Sequence, residues 1–413
     1  MGNEDLTIER IVAGGDGMSR LIDGRVIFVG GTITGERVRV EITTNKKDFA
    51  RGRVVEILDA STHRVSAPCK YVAAGCGGCS WQHIAVSEHM STKVAIVHEA
   101  LRRTAKISET DALALVKIGG SVSSHASRTT LRMAVLPNGK LGFRRGLSND
   151  LIETSPCLVA HDLLNEMIAS AKVKNATEVT LRCGASSGER GVWLHDEHGR
   201  GQVTGLPSDV GVGIESLVHE VVNRVKLRVM MTSFFQSSLE AAELLVDAVR
   251  SAAGERALSG VDGRVIDAYG GVGLFAATLL SPDVPVTLVE SSSSSCRDAD
   301  VNLAQHMRQT CDSSSPSEVI RKNVEQWTPL PAGLVIADPA RTGLGPLAVS
   351  RLVATNAPRI VLVSCDPVAG ARDLRLLIDA GYELGQVTVL DLFPHTPHIE
   401  TVSVLQRRAR ATR

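Results

Sequence analysis

From Ser237 onward the chain alternates short apolar runs with helical segments, and this alternation restricts the fold more than any other feature of the sequence. The predicted strands are Arg264–Asp267, Val286–Glu290, Val319–Arg321, Leu334–Ala337, Ile360–Val363 and Thr401–Leu405. This order of elements is typical of a doubly wound, largely parallel α/β sheet. Reactive groups in such sheets lie just beyond the carboxyl ends of the strands. We therefore predict an α/β domain over residues 236–413, with its site at that edge.

The residues before 236 have other patterns. Residues 1–60 contain four or five short β-rich runs separated by glycine-containing turns, which predicts a small β-barrel of OB-like type. Residues 61–235 mix helical and strand patterns, with two strands around the turn Pro137-Asn138-Gly139. We predict a central α+β domain there. A chain of 413 residues is long enough for these three domains.

Composition narrows the class of protein. The sequence is 43% hydrophobic and 22% charged with zero formal net charge, which argues against a histone-like binder but leaves room for a local basic groove. No apolar run approaches the roughly 20 residues that span a bilayer, and the N-terminus lacks a signal-peptide core. Eight cysteines in such a chain favour metal binding or catalysis over disulfides. We expect a cytoplasmic protein without membrane contact.

Two basic stretches are candidates for contact with a nucleic acid. Between Arg37 and Arg53 there are six basic residues and two acidic ones, and the stretch from Arg128 to Arg145 has five basic residues and no acidic one. Basic hairpins of this kind can follow a phosphate backbone. The alternative interpretation is an exposed charged face without a partner.

Four cysteines are candidates for a metal centre. Cys69, Cys76 and Cys79 are closely spaced, with two glycines between the last two, and Cys157 follows much later. A C-x2-C pair alone fits half a zinc site or a redox pair, but neither a second pair nor two histidines follow at zinc-finger spacing. Three clustered thiolates with a distant fourth are compatible with a [4Fe–4S] cluster. The spacing leaves both centres open and favours the iron–sulfur one.

A glycine turn and an acidic strand end indicate a nucleotide-type cofactor. The turn Tyr269-Gly270-Gly271-Val272-Gly273 follows a predicted strand, and Glu290 ends the next strand, where an acid binds the ribose hydroxyls of an adenosyl group. This pattern fits S-adenosylmethionine at least as well as NAD. No motif of a hydride-transfer site is present, so S-adenosylmethionine is the better prediction.

Cys365 follows a predicted strand and is placed for covalent chemistry, although a buried structural cysteine is the alternative. Asp338 ends the preceding strand, and an acidic cluster from Asp391 to Glu400 comes after it. Methyl transfer to C5 of a pyrimidine needs a thiolate that adds to C6, a base that removes the C5 proton, and a group that holds the base edge. The loop after Asp338 has no aromatic residue, which disfavours an adenine or guanine N-methyltransferase.

Four motifs in this order resemble the RNA uracil-C5 methyltransferase family. They are the cysteine set, D-P-A-R-T-G-L from Asp338, V-S-C-D-P around Cys365, and D-L-F-P-H-T-P-H-I-E, which ends at Glu400. The resemblance covers essentially the whole chain. It implies a TRAM barrel at residues 1–60, a central RNA-binding domain with an iron–sulfur cluster at residues 61–235, and a Rossmann-like methyltransferase domain at residues 236–413.

The resemblance also implies roles for single residues. Cys365 is expected to be the nucleophile, Glu400 the base that takes the C5 proton, and Asp338 a catalytic residue between cofactor and target base. The residues expected at the S-adenosylmethionine site are Gln236, Tyr269, Glu290, Asn323 and Asp338. The expected [4Fe–4S] ligands are Cys69, Cys76, Cys79 and Cys157.

One departure from the family pattern lies beside the expected nucleophile. The family usually has Asn there, where this chain has Asp366. A second carboxylate near Cys365 disfavours the thiolate if both groups are poorly solvated. The expected partner is RNA, ribosomal rather than transfer RNA, and the expected state is a monomer. The alternative is a catalytically weak RNA-binding iron–sulfur protein that acts in RNA folding or ribosome assembly.

Overall fold

The N-terminal residues form one six-stranded sheet in the computed structural model, which describes residues 3–146, 148–196, 198–307 and 317–408. The strands are β1 (Asn3–Thr7), β2 (Arg10–Ile11), β3 (Gly17–Arg20), β4 (Val26–Val29), β5 (Arg37–Asn45) and β6 (Phe49–Asp59). They pair in the order β1-β5-β6-β4-β3-β2. Alternate residues such as Val38 and Val40 point into one apolar core, as the period of a strand requires.

Acidic neighbours partly neutralise the basic hairpin β5–β6. Arg39 pairs with Asp5 and with Glu56, at 2.9 and 2.5 Å, and Arg51 pairs with Asp16 at 2.9 Å. These pairs are exposed and therefore weak, so a phosphate group can compete for the arginines. The hairpin nevertheless carries less unpaired positive charge than its sequence indicates.

In the described part of the central region there are four helices, of which α2 is the longest, and ten strands outside the large C-terminal sheet. In chain order the elements are α1 (Lys70–Ala73), α2 (Val86–Arg103), α3 (Glu109–Leu115), β7 (Val116–Ser121), β8 (Thr130–Val135), β9 (Leu141–Arg144), β10 (Leu151–Glu153), α4 (Asp162–Ser170), β11 (Lys172–Lys174), β12 (Glu178–Cys183), β13 (Arg190–His195), β14 (Gln202–Thr204), β15 (Val210–Val212), β16 (Leu217–Val222) and β17 (Val225–Met230). Six of these strands form a sheet in the order β10-β9-β8-β12-β13-β15, and β11-β14 and β16-β17 are two-stranded. The antiparallel pair β8–β9 confirms the hairpin predicted around Pro137-Asn138-Gly139.

The C-terminal residues alternate strands and helices. In chain order they are α5 (Leu239–Ala253), α6 (Glu255–Leu258), β18 (Val265–Ala268), α7 (Leu274–Leu279), β19 (Val286–Glu290), α8 (Ser293–Met307), β20 (Glu318–Arg321), a 3-10 helix (Val324–Gln326), β21 (Leu334–Ala337), α9 (Gly345–Ala354), β22 (Arg359–Ser364), α10 (Pro367–Asp379), β23 (Tyr382–Asp391) and β24 (Glu400–Arg407). The predicted alternation is confirmed.

These strands form an eight-stranded sheet in the order β20-β19-β18-β21-β22-β24-β23-β7. Strands β20, β19, β18, β21 and β22 are mutually parallel, and β24 is antiparallel to both of its neighbours. The last strand, β7, comes from residues 116–121 and pairs in parallel with β23. The sheet is therefore completed by a segment far upstream of the other strands.

Helices cover both faces of this sheet, which explains the continuous apolar run in β22. Ile360 and Leu362 pack in the same core as residues of α9 and α10, whereas Val361 and Val363 pack in the core that contains α5. A strand buried on both faces needs apolar residues at consecutive positions. In the described ranges, no helix combines the length and the apolar character needed to cross a membrane.

Candidate active site

The register of the large sheet places most of the expected site residues side by side. Ala268 is aligned with Val289 on one side and with Ala337 on the other, and Ser364 is aligned with Thr401 across β22 and β24. Residues just beyond these positions therefore meet at one edge, where the parallel strands end and the antiparallel β24 begins. They are Glu290, Tyr269, Asp338, Cys365 and Glu400.

One cavity of about 650 Å³ opens over this edge, a volume suited to a small ligand. We call the part toward β18 and β19 the cofactor half, lined by Gln236, Tyr269, Gly270, Gly271 and Glu290. We call the part toward β22 and β24 the acceptor half, lined by Asp338, Cys365, Phe393, His398 and Glu400. All three residues predicted to be catalytic thus line the same cavity.

The glycine turn orients the acidic group of the cofactor half. Gly271 and Gly273 have φ of +55° and +85°, a region that favours glycine. The Gly271 N–H donates to Glu290 Oε2 at 3.1 Å, and the other carboxylate oxygen accepts from the N–H groups of Ser291 and Ser292 at 2.7 Å. The carboxylate is therefore held at the cavity wall by three main-chain donors.

Two expected cofactor residues differ in their positions. Gln236 lines the cavity and is largely buried. Asn323 is exposed, precedes the 3-10 helix and is not among the residues that line the cavity. Tyr269 connects the cavity wall with the 3-10 helix after Asn323, because its hydroxyl donates to Glu325 Oε1 at 3.0 Å. A cofactor role for Asn323 therefore stays a prediction.

Burial and carboxyl groups control the protonation of Cys365. Burial and then the charges of Glu400 and Asp338 raise the pKa of the Cys365 thiol to about 12, while Arg341 acts in the opposite direction. Burial also raises the pKa of Glu400 and that of Asp338, and the charge of Asp338 raises the pKa of Glu400 further. Two close carboxyl groups in a poorly solvated site resist double ionisation. The surroundings of the site therefore favour the protonated forms of these three groups.

Asp366 caps a helix, and the charges with the largest effect on Cys365 are those of other residues. Its Oδ1 accepts from the N–H groups of Val368 and Ala369 at 3.0 and 2.9 Å, at the start of α10. A carboxylate is favourable there because it binds unpaired N–H groups and lies at the positive end of the helix dipole. The charges that raise the thiol pKa most are those of Glu400 and Asp338. Aspartate and asparagine can therefore both serve at this position.

We expect Asp366→Asn to leave the protein almost unchanged, because asparagine caps a helix as well as aspartate does. Asp366→Ala should lower the free energy of unfolding by about 1 kcal/mol, since two N–H groups lose their acceptor. Denaturant unfolding measures both effects. Alkylation of Cys365 as a function of pH, followed by peptide mass spectrometry, should give the same profile for the Asn variant as for the parent. A profile displaced by more than about one pH unit would contradict our assignment of the charges.

The four expected metal ligands lie close enough together to affect one another. Burial and the neighbouring Cys157 raise the pKa of Cys79 to about 11, and burial together with Cys69 and Cys76 raises the pKa of Cys157. Among the described residues, however, no group of three or more ligating side chains can hold a single metal ion. Each thiolate of a [4Fe–4S] cluster binds a different iron, so its sulfur atoms lie farther apart than the ligands of one ion. A metal centre at these thiols therefore stays a prediction.

Several residues of this region were not predicted from the sequence. Phe393 and His398 line the cavity although they were not predicted as site residues, and Asp267 is buried behind it with its pKa raised to about 7 by burial. One oxygen of Asp267 accepts from the Ala276 N–H at 3.2 Å. His398 could have been predicted as a site residue from its position two residues before Glu400, because residues two apart share a face in extended chain.

Two sequence profiles match parts of the chain. The tRNA (uracil-5-)-methyltransferase profile matches residues 323–408, and the TRAM domain profile matches residues 4–55. A protein of Streptomyces avermitilis described as an uncharacterized RNA methyltransferase is 31% identical over 440 residues, which cover 99% of this chain and 100% of that protein. A protein of Corynebacterium glutamicum with the same description is 31% identical and covers 95% of this chain and 94% of its own length.

A solved structure shares the architecture of the whole chain. The tRNA (uracil-54, C5)-methyltransferase of Pyrococcus abyssi, in complex with S-adenosyl-L-homocysteine, has a TM-score of 0.71 and covers 97% of this chain and 99% of its own. At 22% identity this similarity shows the fold. The predicted combination of an N-terminal TRAM β domain and a C-terminal Rossmann-like domain is confirmed.

Proposed function

Because this chain belongs to the RNA methyltransferases of the uracil-5 family, we propose that it transfers a methyl group from S-adenosylmethionine to C5 of a uridine in RNA. One observation carries the proposal. Cys365 and Glu400 come from adjacent strands, β22 and β24, and line the acceptor half of one cavity. A thiol and a carboxyl group beside a nucleotide-type site are the groups that this chemistry needs.

The proposed reaction uses the two groups in turn. The Cys365 thiolate forms a bond to C6 of the uracil, and the electrons of the C5–C6 double bond move to the carbonyl oxygen as an enolate. C5 then attacks the methyl carbon of the sulfonium, and S-adenosylhomocysteine leaves with the electron pair of the broken carbon–sulfur bond. Glu400 takes the proton from C5, the double bond forms again, and the thiolate leaves C6.

The raised pKa values of the carboxyl groups suit this sequence. A carboxyl group with a raised pKa is a better base toward a C5 proton than an ordinary glutamate, because the ideal catalytic pKa lies near the working pH. We propose that Asp338, at the join of the two halves, is ionised, and that its charge favours protonation of Glu400 when Glu400 accepts the C5 proton. An ionised Asp338 can hold the polar edge of the base by accepting a hydrogen bond from the uracil N3–H.

We propose ribosomal RNA as the target, since the cysteine set together with the TRAM domain resembles the branch of the family that modifies large-subunit rRNA. The test is mass spectrometry of RNA nucleosides from cells with and without the gene, with mapping of the lost 5-methyluridine. Loss at one rRNA position supports enzyme and target together. Loss in transfer RNA keeps the enzyme but refutes the target, and no change in any methylated pyrimidine refutes the proposed activity.

We propose that the four cysteines hold a [4Fe–4S] cluster. The supporting observation is that the four thiols lie close enough together to raise one another's pKa. Cys69 precedes α1, Cys76 and Cys79 follow it, and Cys157 lies between β10 and α4. Such a cluster would join these two segments and so stabilise the shape of the central domain.

Cys79→Ser is expected to remove most of the bound iron and to lower the thermal stability of the central domain, because one of the four ligands is lost. The measurement is iron and sulfide content with the visible absorption spectrum after purification without oxygen. Cys183→Ser is the matched control, since this thiol is buried in β12, outside the set. Equal iron content in the two variants would refute the cluster.

A further inference from the structure

The loop between β23 and β24, residues 392–399, is held by a distant part of the chain. Phe393 and His398 of this loop line the acceptor half, and Glu400 follows it directly. In the middle of the loop, the carbonyl oxygen of His395 accepts from the Trp81 N–H at 2.9 Å, and the His395 N–H donates to His89 Nδ1 at 3.4 Å. The wall of the acceptor half therefore depends on residues around α2.

A buried ion pair connects α2 with the start of this loop. The side chains of Lys93 and Asp391 are 0% and 2% exposed, and Lys93 Nζ lies 2.5 Å from Asp391 Oδ1. Lys93 Nζ also donates to the carbonyl oxygen of Phe393 at 3.3 Å. The same carboxylate oxygen accepts from the Phe393 N–H at 3.2 Å. Both main-chain polar groups of Phe393 are thus bound by the ion pair.

The ring of Phe393 is also held. The guanidinium carbon of Arg128 lies 4.9 Å from the ring centroid, within the range of a cation–π contact. On another side the ring meets the His398 ring edge-on, at 5.7 Å between centroids. Lys93 is therefore connected through Phe393 to His398, a side chain that faces the reacting groups.

Stability alone is a poor explanation of the Lys93–Asp391 pair. Removing two charges from water costs free energy that their attraction barely recovers, and apolar replacements of such pairs are often as stable. The pair instead fixes the conformation of the Phe393 main chain, because its hydrogen bonds allow only one arrangement there. Groups that hold a reacting site to a fraction of an ångström need this kind of support.

We propose that Lys93 is a positioning residue for methyl transfer, which acts through Asp391 and Phe393 on the wall of the acceptor half. This inference depends on the proposed function. Lys93 does not line the cavity, so it acts on the placement of the target base and not on the bond changes. Neither Lys93 nor Asp391 lines the cofactor half.

The test removes both charges together, in the full chain, as Lys93→Met with Asp391→Asn. This pair of changes leaves no unpaired buried charge, and the asparagine oxygen can still accept from the Phe393 N–H. We expect kcat to fall by about tenfold or more, because small misplacements of reacting groups are costly. We expect the dissociation constant for S-adenosylmethionine to stay within about twofold, and hydrogen exchange to become faster in residues 392–399 only.

The matched control removes another buried ion pair that does not reach the cavity. Glu36 of the N-terminal domain is 0% exposed in its side chain and pairs with Arg64 at 2.5 Å. Glu36→Gln with Arg64→Met removes the same number of charges, and we expect its kcat to equal that of the parent protein. A similar loss of kcat in both double variants would indicate a general effect of lost ion pairs and would overturn the proposal.

Three further outcomes are decisive. An unchanged kcat in the folded Lys93→Met, Asp391→Asn protein overturns the positioning role. Should this protein not fold, Lys93→Arg replaces it, since arginine keeps the charge but changes the donor geometry. A lower kcat of Lys93→Arg with native cofactor affinity supports the role, and an unchanged kcat overturns it.

If the parent protein methylates no RNA, the proposed function fails. Hydrogen exchange in residues 392–399 then still decides the positioning role. Faster exchange in the variant supports the role, and unchanged exchange overturns it.

Discussion

Cys365→Ala is expected to lower the rate of methyl transfer by about 10⁴-fold or more, because no other group can form the bond to C6. C5 of uracil is a poor nucleophile until that bond exists, so binding of RNA and cofactor cannot replace the thiol. The measurement is transfer of labelled methyl groups from S-adenosylmethionine to substrate RNA. The affinity for RNA should change little, since the substitution removes one small side chain from the cavity.

A matched thiol variant separates this effect from a loss of structure. Cys183→Ala removes a buried sulfur from β12, which does not line the cavity, and it should keep most of the methyl-transfer activity. Cofactor binding by the Cys365→Ala protein gives a second check that the fold is intact. Transfer at a rate near that of the parent would show that Cys365 is not the nucleophile.

Glu400→Gln is expected to stop the reaction after methyl transfer and to trap RNA on the protein. Without the carboxylate the C5 proton stays in place, and the thiolate cannot leave C6 until that proton has gone. Removal of the Glu400 charge should also lower the pKa of Cys365, because that charge helps to raise it. The adduct should therefore form readily and persist, and should appear as a covalent RNA–protein species in a denaturing gel.

Two comparisons show whether the trapped species has the proposed structure. It should be absent from a protein that carries both Cys365→Ala and Glu400→Gln, because the adduct needs the thiol. With S-adenosylmethionine present, mass spectrometry should find the mass of one added methyl group in the trapped nucleotide. Normal turnover by Glu400→Gln would instead assign the C5 proton to another base, with Asp338 the next candidate.

The local sequence pattern predicted most of the large sheet. The run Ile360–Val363 lies inside β22, and the run Leu334–Ala337 coincides with β21, because strands buried on both faces have continuous apolar sequence. The position of Cys365 at the carboxyl edge followed from the same argument. That a single cavity contains Cys365, Glu400 and Asp338 agrees with the roles implied by the family motifs.

Contacts between distant segments could not be predicted in this way. Lys93 is a charged residue on an amphipathic helix, and nothing near it in sequence indicates that Asp391 will meet it in the core. The pairing of β7 with β23 is equally hidden, since both strands have ordinary patterns. The capping role of Asp366 was readable in principle, because an aspartate before a proline and a helical run is a typical N-cap.

The pairing of β7 with β23 also affects the order in which the chain folds. Val116 finds its partner Val387 about 270 residues later, so the edge of the large sheet cannot close until β23 has been synthesised. β7 must therefore wait for its partner during translation, while the two six-stranded sheets can already form. A ribosome stalled near residue 380 would carry a nascent chain with an unpaired β7, and protease sensitivity of that segment should disappear only when β23 has emerged.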